Sequence, residues 1–319
     1  MKIFKNSILF LGILVVIGSL IFAVRPDSTK ITVAKNSAKD STRSNVPSAY
    51  RISPVAIPKN LRFAGEVVPQ NDPEIRERID REFLVNTFWQ SNALLLMKRA
   101  NKYFPIIEPI LAKHGIPDDF KYLAVAESGL TNVVSPAGAT GFWQIMKETG
   151  KEYGLEINSN VDERYHLEKS TEVACEYLKK WKVRYGSWAL TAAAYNAGPG
   201  AIDKYLKIQQ ANTYWDLLLG SETGRYVFRI MAIKEILSQP TRYGFKIDKK
   251  DLYEQPATFT VALETPVADF ADFAKEYELS YKILKRHNPW LREPHLNNNS
   301  GKKYVLEIPK KGFYTTLGE

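Results

Sequence analysis

Glu127 closes an otherwise apolar run, Phe120-Lys121-Tyr122-Leu123-Ala124-Val125-Ala126-Glu127. Helical spacing puts Phe120, Leu123, Ala124 and Glu127 on one face, and such a face belongs in a core. Burial disfavours the charged form of a carboxyl and raises its pKa, which suits a general acid near neutral pH. A structural glutamate paired with a lysine or arginine would read the same way.

Three further clusters carry residue types that suit a saccharide. Gly141-Phe142-Trp143-Gln144-Ile145-Met146 follows a small-residue turn and offers a flat apolar surface beside an amide, tools that match the faces and hydroxyl edges of a sugar ring. A turn and a helix with Phe142 and Trp143 in its core is the plainer reading. Ala192-Ala193-Ala194-Tyr195-Asn196-Ala197-Gly198-Pro199 ends an alanine helix sharply, leaving Tyr195 and Asn196 at its end. Glu222-Thr223-Gly224-Arg225-Tyr226 reads as a helix start.

These four pieces, in this order and spacing, resemble the lytic murein transglycosylases of the soluble-lytic type, which share a fold with goose-type lysozymes. Glu127-Ser128 matches the catalytic motif, and Gly141 to Met146 matches the Gly-Leu-Met/Trp-Gln motif. Ala194-Tyr195-Asn196-Ala197-Gly198 matches Ala-Tyr-Asn-Ala-Gly, and Glu222-Thr223 with Tyr226 matches Glu-Thr-x-x-Tyr. The resemblance covers roughly residues 80 to 240. One departure is Gly224, which stands where the family places arginine.

The resemblance implies that Glu127 is the single general acid and base. It would protonate the bridging oxygen between MurNAc and GlcNAc, then take the proton of the C6 hydroxyl as that oxygen closes a 1,6-anhydro ring. The substrate N-acetyl oxygen would stabilise charge at C1. Gln144, Tyr195, Asn196 and Tyr226 would hold the sugar, and Ser128 would bond Glu127 or substrate. Asp162 and Glu163 are candidates for a second carboxylate, in a polar stretch that reads as a solvated loop. A hydrolytic muramidase, a non-catalytic wall-binding protein with the same fold and a scaffold are the alternatives.

The elements that must position these groups read as mainly α. Ile75, Ile79, Phe83 and Phe88 recur at helical spacing after Asp72-Pro73, a start signal. Helices are predicted over 92–103, 106–114, 118–128, 146–153, 167–185, 187–196, 201–208 and 225–237. Pro105, Gly115 and Pro117 mark the turns. Period-two alternation is nearly absent between 73 and 240, so a lysozyme-like all-helical catalytic domain is expected over 73–245. Thr258 to Val261 and Lys303 to Ile308 read as strands flanking two helices. This small α+β module, 257–312, resembles a LysM domain, a peptidoglycan-binding fold. It lacks the usual Gly-Asp after the first strand, where Leu263-Glu264-Thr265-Pro266 stands. Trp290 and Tyr304 would be glycan-binding or packing residues.

Ahead of these lie an apolar N-terminal segment (1–25) and a Ser-, Thr-, Lys- and Asn-rich stretch (26–72) that reads as a flexible linker. Lys2 and Lys5 precede an uncharged run from Asn6 to Val24, close to the length of a membrane span. An uncleaved anchor or a cleaved signal peptide fits it, and either exports the rest to the periplasmic side of the cell envelope. The chain has 319 residues, one cysteine and a net charge of +9. That charge suits an anionic wall polymer or membrane surface. It is scattered, without zinc-finger or RNA-binding spacing, so nucleic acid is not expected. Lone Cys175 reads as a buried thiol, and four dispersed histidines give no metal spacing. No metal or cofactor is expected, and oligomeric state is open.

Overall fold

The Asp72 carboxylate accepts hydrogen bonds from the amides of Glu74 and Ile75 and starts helix α1 (Pro73–Phe88) in a computed structural model that describes residues 53–314. Proline at the first helical position suits a site whose N–H needs no partner. The remaining helices are α2 (Gln90–His114), α3 (Lys121–Ser128), α4 (Lys147–Glu152), α5 (Leu167–Tyr185), α6 (Trp188–Ala197), α7 (Pro199–Gln209), α8 (Thr223–Ser238), α9 (Phe270–Glu276) and α10 (Tyr281–His287). Two small antiparallel sheets complete the described chain: β1 (Arg62–Phe63) with β2 (Glu66–Val67), and β3 (Thr258–Leu263) with β4 (Tyr304–Pro309). The mainly α class with a small α+β module is therefore present. The run from Asn6 to Val24 and the tether up to residue 52 lie outside the described residues. Among the described residues no helix is long and apolar enough to cross a membrane.

The larger of two apolar clusters is built around α8 and α6. In α8, Tyr226, Val227, Ile230, Met231 and Ile233 are buried, and the helix packs on α1, α3 and α6. In α6 the run Ala189 to Ala194 is buried throughout. Small side chains let neighbouring helices approach closely, and the Ser187 hydroxyl caps the helix at the Leu190 amide. Gly198 then ends it at a positive φ of 82°.

Two sequence expectations change here. Pro105 and Pro109 lie inside α2, which runs unbroken where two helices were predicted. Each proline removes one backbone hydrogen bond, but Ala93, Leu96, Met97, Ala100, Ile107 and Leu111 seat one continuous apolar face in the core. Tertiary burial outweighs the local penalty. Second, Leu61, Phe63 and Val68 are buried in the larger cluster. The packed chain therefore begins before Pro73, in a stretch whose polar composition suggests a tether. Its few apolar residues are enough because the β1–β2 hairpin turns them onto a surface formed elsewhere.

The smaller cluster joins Leu263, Phe270, Ala274, Leu284, Trp290, Leu306 and Ile308. Strands β3 and β4 pair in register from Thr258↔Pro309 to Leu263↔Tyr304. Asp269 and Ser280 cap α9 and α10. Val161, from the chain before α5, belongs to this cluster. It bridges Leu291, and the Asp162 amide donates to the Trp290 carbonyl at 2.9 Å. The Arg292 amide donates to Asn160 O at 2.8 Å. The module is thus docked by backbone hydrogen bonds. Trp290 and Tyr304 are both buried and stack on each other with centroids 5.7 Å apart, which makes them packing residues.

Candidate active site

Helix α3 delivers Glu127 from the core. Tyr122, Leu123, Ala124 and Val125 are buried, and Gly129 caps the helix in the left-handed region at φ 58°. Glu127 sits in the last turn of the helix, half-buried. Burial pushes its carboxyl from 4.5 up to about 7; a hydrogen bond from Tyr226 opposes the rise, the charge of Glu222 adds to it, and Arg229 lowers it slightly. Among the described residues no lysine or arginine forms an ion pair with Glu127. Its one recorded side-chain partner is the Tyr226 hydroxyl, which donates to Oε1.

Tyr226 differs from its expected role. It is almost fully buried on the first turns of α8, and its hydroxyl meets the acid instead of reaching for a sugar. Packing of α8 on α3 makes this contact. Ser128 also differs. Its hydroxyl lies 2.8 Å from Phe142 O and 3.1 Å from Ala124 O, so its single proton is spent on backbone.

The segment after α3 folds back onto Ser128 as a tight turn. Gly141 has φ 82°, and a Cβ there would stand 2.2 Å from the Arg164 carbonyl oxygen. No side chain fits. Gln144 also has a positive φ, 48°. Its Nε2 donates to Gly141 O at 2.8 Å and to Val133 O at 3.1 Å. Both donors are used, which leaves Oε1 as the unpartnered acceptor among the described residues. Trp143 is fully buried and donates from Nε1 to Thr171 Oγ1 at 2.8 Å. It is a core residue, so the flat sugar-binding surface expected of Trp143 is absent, and Phe142 packs inward beside it as the plainer reading has it.

Tyr195 links this turn to α6, donating from its hydroxyl to Trp143 O at 2.6 Å. Asn196 reaches the start of α8, where its Oδ1 accepts from Thr223 Oγ1 at 2.8 Å and its Nδ2 lies 3.5 Å from Glu222 Oε1. A recess of about 70 Å³ is lined by Gln144, Met146, Thr149, Tyr177 and Tyr195 among others. The late motif is thereby tied to the third, and the second to the third, through hydrogen bonds. At Gly224 a Cβ would meet Arg78 Nη1 at 3.0 Å, and that nitrogen donates to Gly224 O at 3.0 Å.

Asp162 and Glu163 are buried, not in a solvated loop. Asp162 pairs with Arg164 at 2.7 Å and Glu163 pairs with Lys169. Neutralised in this way, both carboxylates serve structure. Arg164 itself donates to Gly138 O at 2.9 Å and Ile145 O at 3.3 Å, clamping both ends of the Gln144 turn. Arg164, Thr171 and Arg229 carried no sequence signal that set them apart from ordinary helix and loop residues. Cys175 is buried, and burial pushes its thiol up to about 12.

The transglycosylase SLT domain family matches residues 104–218, and the soluble lytic transglycosylase C-terminal LysM-like domain family matches 259–312. The membrane-bound lytic murein transglycosylase D of Escherichia coli strain K12 is 33% identical over 250 residues, covering 76% of this chain and 53% of that protein. The chain thus spans about half the length of the curated relative it matches. The lytic transglycosylase Slt inactive mutant from Pseudomonas aeruginosa aligns at 23% identity and a TM-score of 0.37, over 47% of this chain and 26% of that one. The 70 kDa soluble lytic transglycosylase of Escherichia coli aligns at 24% identity and the same TM-score of 0.37, over 44% and 24%.

Proposed function

Because the chain carries a transglycosylase SLT domain followed by a LysM-like C-terminal domain, and so belongs with the lytic transglycosylases, we propose that it cleaves peptidoglycan strands without water. The bond broken is the β-1,4 link from MurNAc to GlcNAc, and the product end is 1,6-anhydroMurNAc. The observation that carries this reading is the desolvated Glu127 carboxyl, raised to about 7 and held by Tyr226.

Protonated at first, Glu127 donates to the bridging oxygen as the bond to C1 breaks. The substrate acetamido oxygen stabilises the positive charge that develops at C1. Ionised Glu127 then accepts the C6 hydroxyl proton while O6 bonds to C1, so the carboxyl ends as it began. A pKa near 7 lets one group donate and then accept. The Tyr226 hydroxyl stabilises the carboxylate between the two transfers. Gln144 Oε1 accepts from the sugar, and the recess between Gln144 and Tyr195 takes a small group such as the acetamido methyl. Tyr195, Asn196 and Ser128 act by fixing the cleft walls, an orientation task that lets C6 reach C1.

A muramidase of the two-carboxylate kind would need a second carboxylate to activate water, and Asp162 and Glu163 are spent on cations. A muramidase assisted by the substrate acetamide would use Glu127 alone, and product mass separates it from the anhydro route. In this reading residues 73–245, extended back to Leu61, form the catalytic domain and 257–312 the wall-associated module. The N-terminal segment holds the protein at the periplasmic side of the envelope.

The test is the mass of muropeptides released from purified sacculi. Products one water lighter than the hydrolytic ones are expected, and Glu127→Gln should lower release by at least ~10²-fold with folding intact. Hydrolytic masses, or full activity in that variant, would overturn the reading.

A further inference from the structure

A cleft of about 1210 Å³ lies between α2 and the C-terminal module. Glu127 does not line it, but Leu130, Thr131 and Asn132 do, so it opens immediately downstream of the catalytic helix. Its volume exceeds the ~300–1,000 Å³ typical of small-molecule pockets, which fits an extended ligand.

The walls carry an imbalance of charge. Arg99 and Lys102 on α2 face Lys282, Lys285 and Arg286 on α10. Lys102, Lys282 and Arg286 have no carboxylate within ion-pair distance among the described residues. Burial and then Arg286 hold the Lys102 ammonium below its ordinary value. Burial, then Lys102 and Arg286, push His287 down to about 4, and burial followed by Arg292 pushes Lys285 down to about 8. Like charges held together in a partly desolvated cleft cost free energy, which a bound anion would return.

Carboxylates line the cleft as well: Glu168, Glu254 and Glu307, with Glu168 paired to His166 at 3.1 Å. Tyr103, Tyr281 and Tyr314 supply aromatic surface. A lining that mixes cations, carboxylates and aromatic rings suits a short peptide bearing carboxylates and an amine better than a uniformly anionic polymer.

We propose that this cleft binds the carboxylate-bearing peptide that branches from the glycan strand, with Lys102 and Arg286 meeting its carboxylates. The identity of the ligand rests on the function proposed above; the site itself rests on the cleft and its charges. A glycan held at Glu127 would lay its peptide toward Leu130 and Asn132 and into the cleft mouth. The module then contributes to substrate choice through α10, and its buried Trp290 and Tyr304 serve to hold that helix in place.

The test is calorimetric titration of the full chain, at low salt, with free peptide stems released from sacculi by an amidase. The same peptides with amidated carboxylates and a single-stranded oligonucleotide of equal charge are titrated in parallel. Amidation should weaken binding at least tenfold, and the double variant Lys102→Gln, Arg286→Gln should do the same without a fall in thermal midpoint. That variant should still cleave peptide-stripped glycan strands at the wild-type rate. No peptide binding, indifference to amidation or to the double variant, or equal binding of the oligonucleotide would each overturn the proposal. Because peptide binding is read without catalysis, an inactive Glu127 assignment would leave this result intact and be recognised separately.

Discussion

Tyr226 donates its hydroxyl to Oε1 of Glu127 across a sequence separation of 99 residues, from the first turns of α8 to the last turn of α3. The bond favours the carboxylate, whereas burial favours the acid, and burial prevails. The pair therefore sets how readily the acid gives up and recovers its proton.

Removing that bond should move the pH profile. In the proposed mechanism cleavage uses protonated Glu127, so kcat/KM should fall about tenfold per unit above the pKa near 7. Tyr226→Phe removes a bond to the charged form, so the pKa rises and the alkaline limb shifts to higher pH. A pH–rate series on soluble glycan strands measures the shift. An unmoved limb would mean that Tyr226 does not tune the acid.

Stability should respond to Glu127 in the same direction. Its folded value, about 7, lies above the ordinary 4.5. The stabilising contribution of the protonated form is complete below the unfolded value and lost as pH rises through the folded one. At alkaline pH the ionised carboxyl costs about 3 kcal/mol. Glu127→Gln should thus be more stable than wild type around pH 9, with the difference gone at about pH 4. Denaturant titrations at both pH values check this, and an advantage confined to low pH would contradict it.

Gly141 should tolerate no side chain. The missing Cβ would stand 2.2 Å from the Arg164 carbonyl oxygen at a φ of 82°. Gly141→Ala should cost several kcal/mol, on the order of 3 or more, and displace the Gln144 turn. Thermal melting and cleavage should fall together. A stable, active variant would show that the turn relaxes.

Trp290 should behave as a core residue. It is 3% exposed and stacks on Tyr304, so Trp290→Ala should cost about 3–5 kcal/mol. Proteolysis and melting report the loosened module. Unchanged stability with weakened glycan binding would return Trp290 to the role of a sugar contact.

Much of the fold was legible because local rules agree with it. Asp72-Pro73 begins a helix where its capping chemistry says one should begin, and α5 has the bounds that its periodicity predicts. The prolines of α2 misled because a local penalty was read without the burial that outweighs it. At the candidate site, Glu127, Gln144, Tyr195, Asn196 and Tyr226 were singled out by type and order. Their protein partners were not legible. The sequence reading assigned the Ser128 hydroxyl to Glu127 or substrate and Tyr195 to the sugar; in the structure both hydroxyls are bound to carbonyls of the Phe142–Trp143 turn. Asp162 and Glu163 looked solvated because nothing in a polar stretch announces the cations that cover them.

The amino-acid order by itself determined most of the helices other than α2, the apolar stripe that carries Glu127 and the helix stop at Asn196 to Pro199, since each depends on residues within a few turns of one another. Tertiary structure alone decided that Tyr226 meets Glu127, that Trp143 turns inward to Thr171 and that the module docks on Asn160 to Asp162. Those contacts join groups far apart in the chain. Their geometry follows from how whole helices pack, which no local pattern encodes.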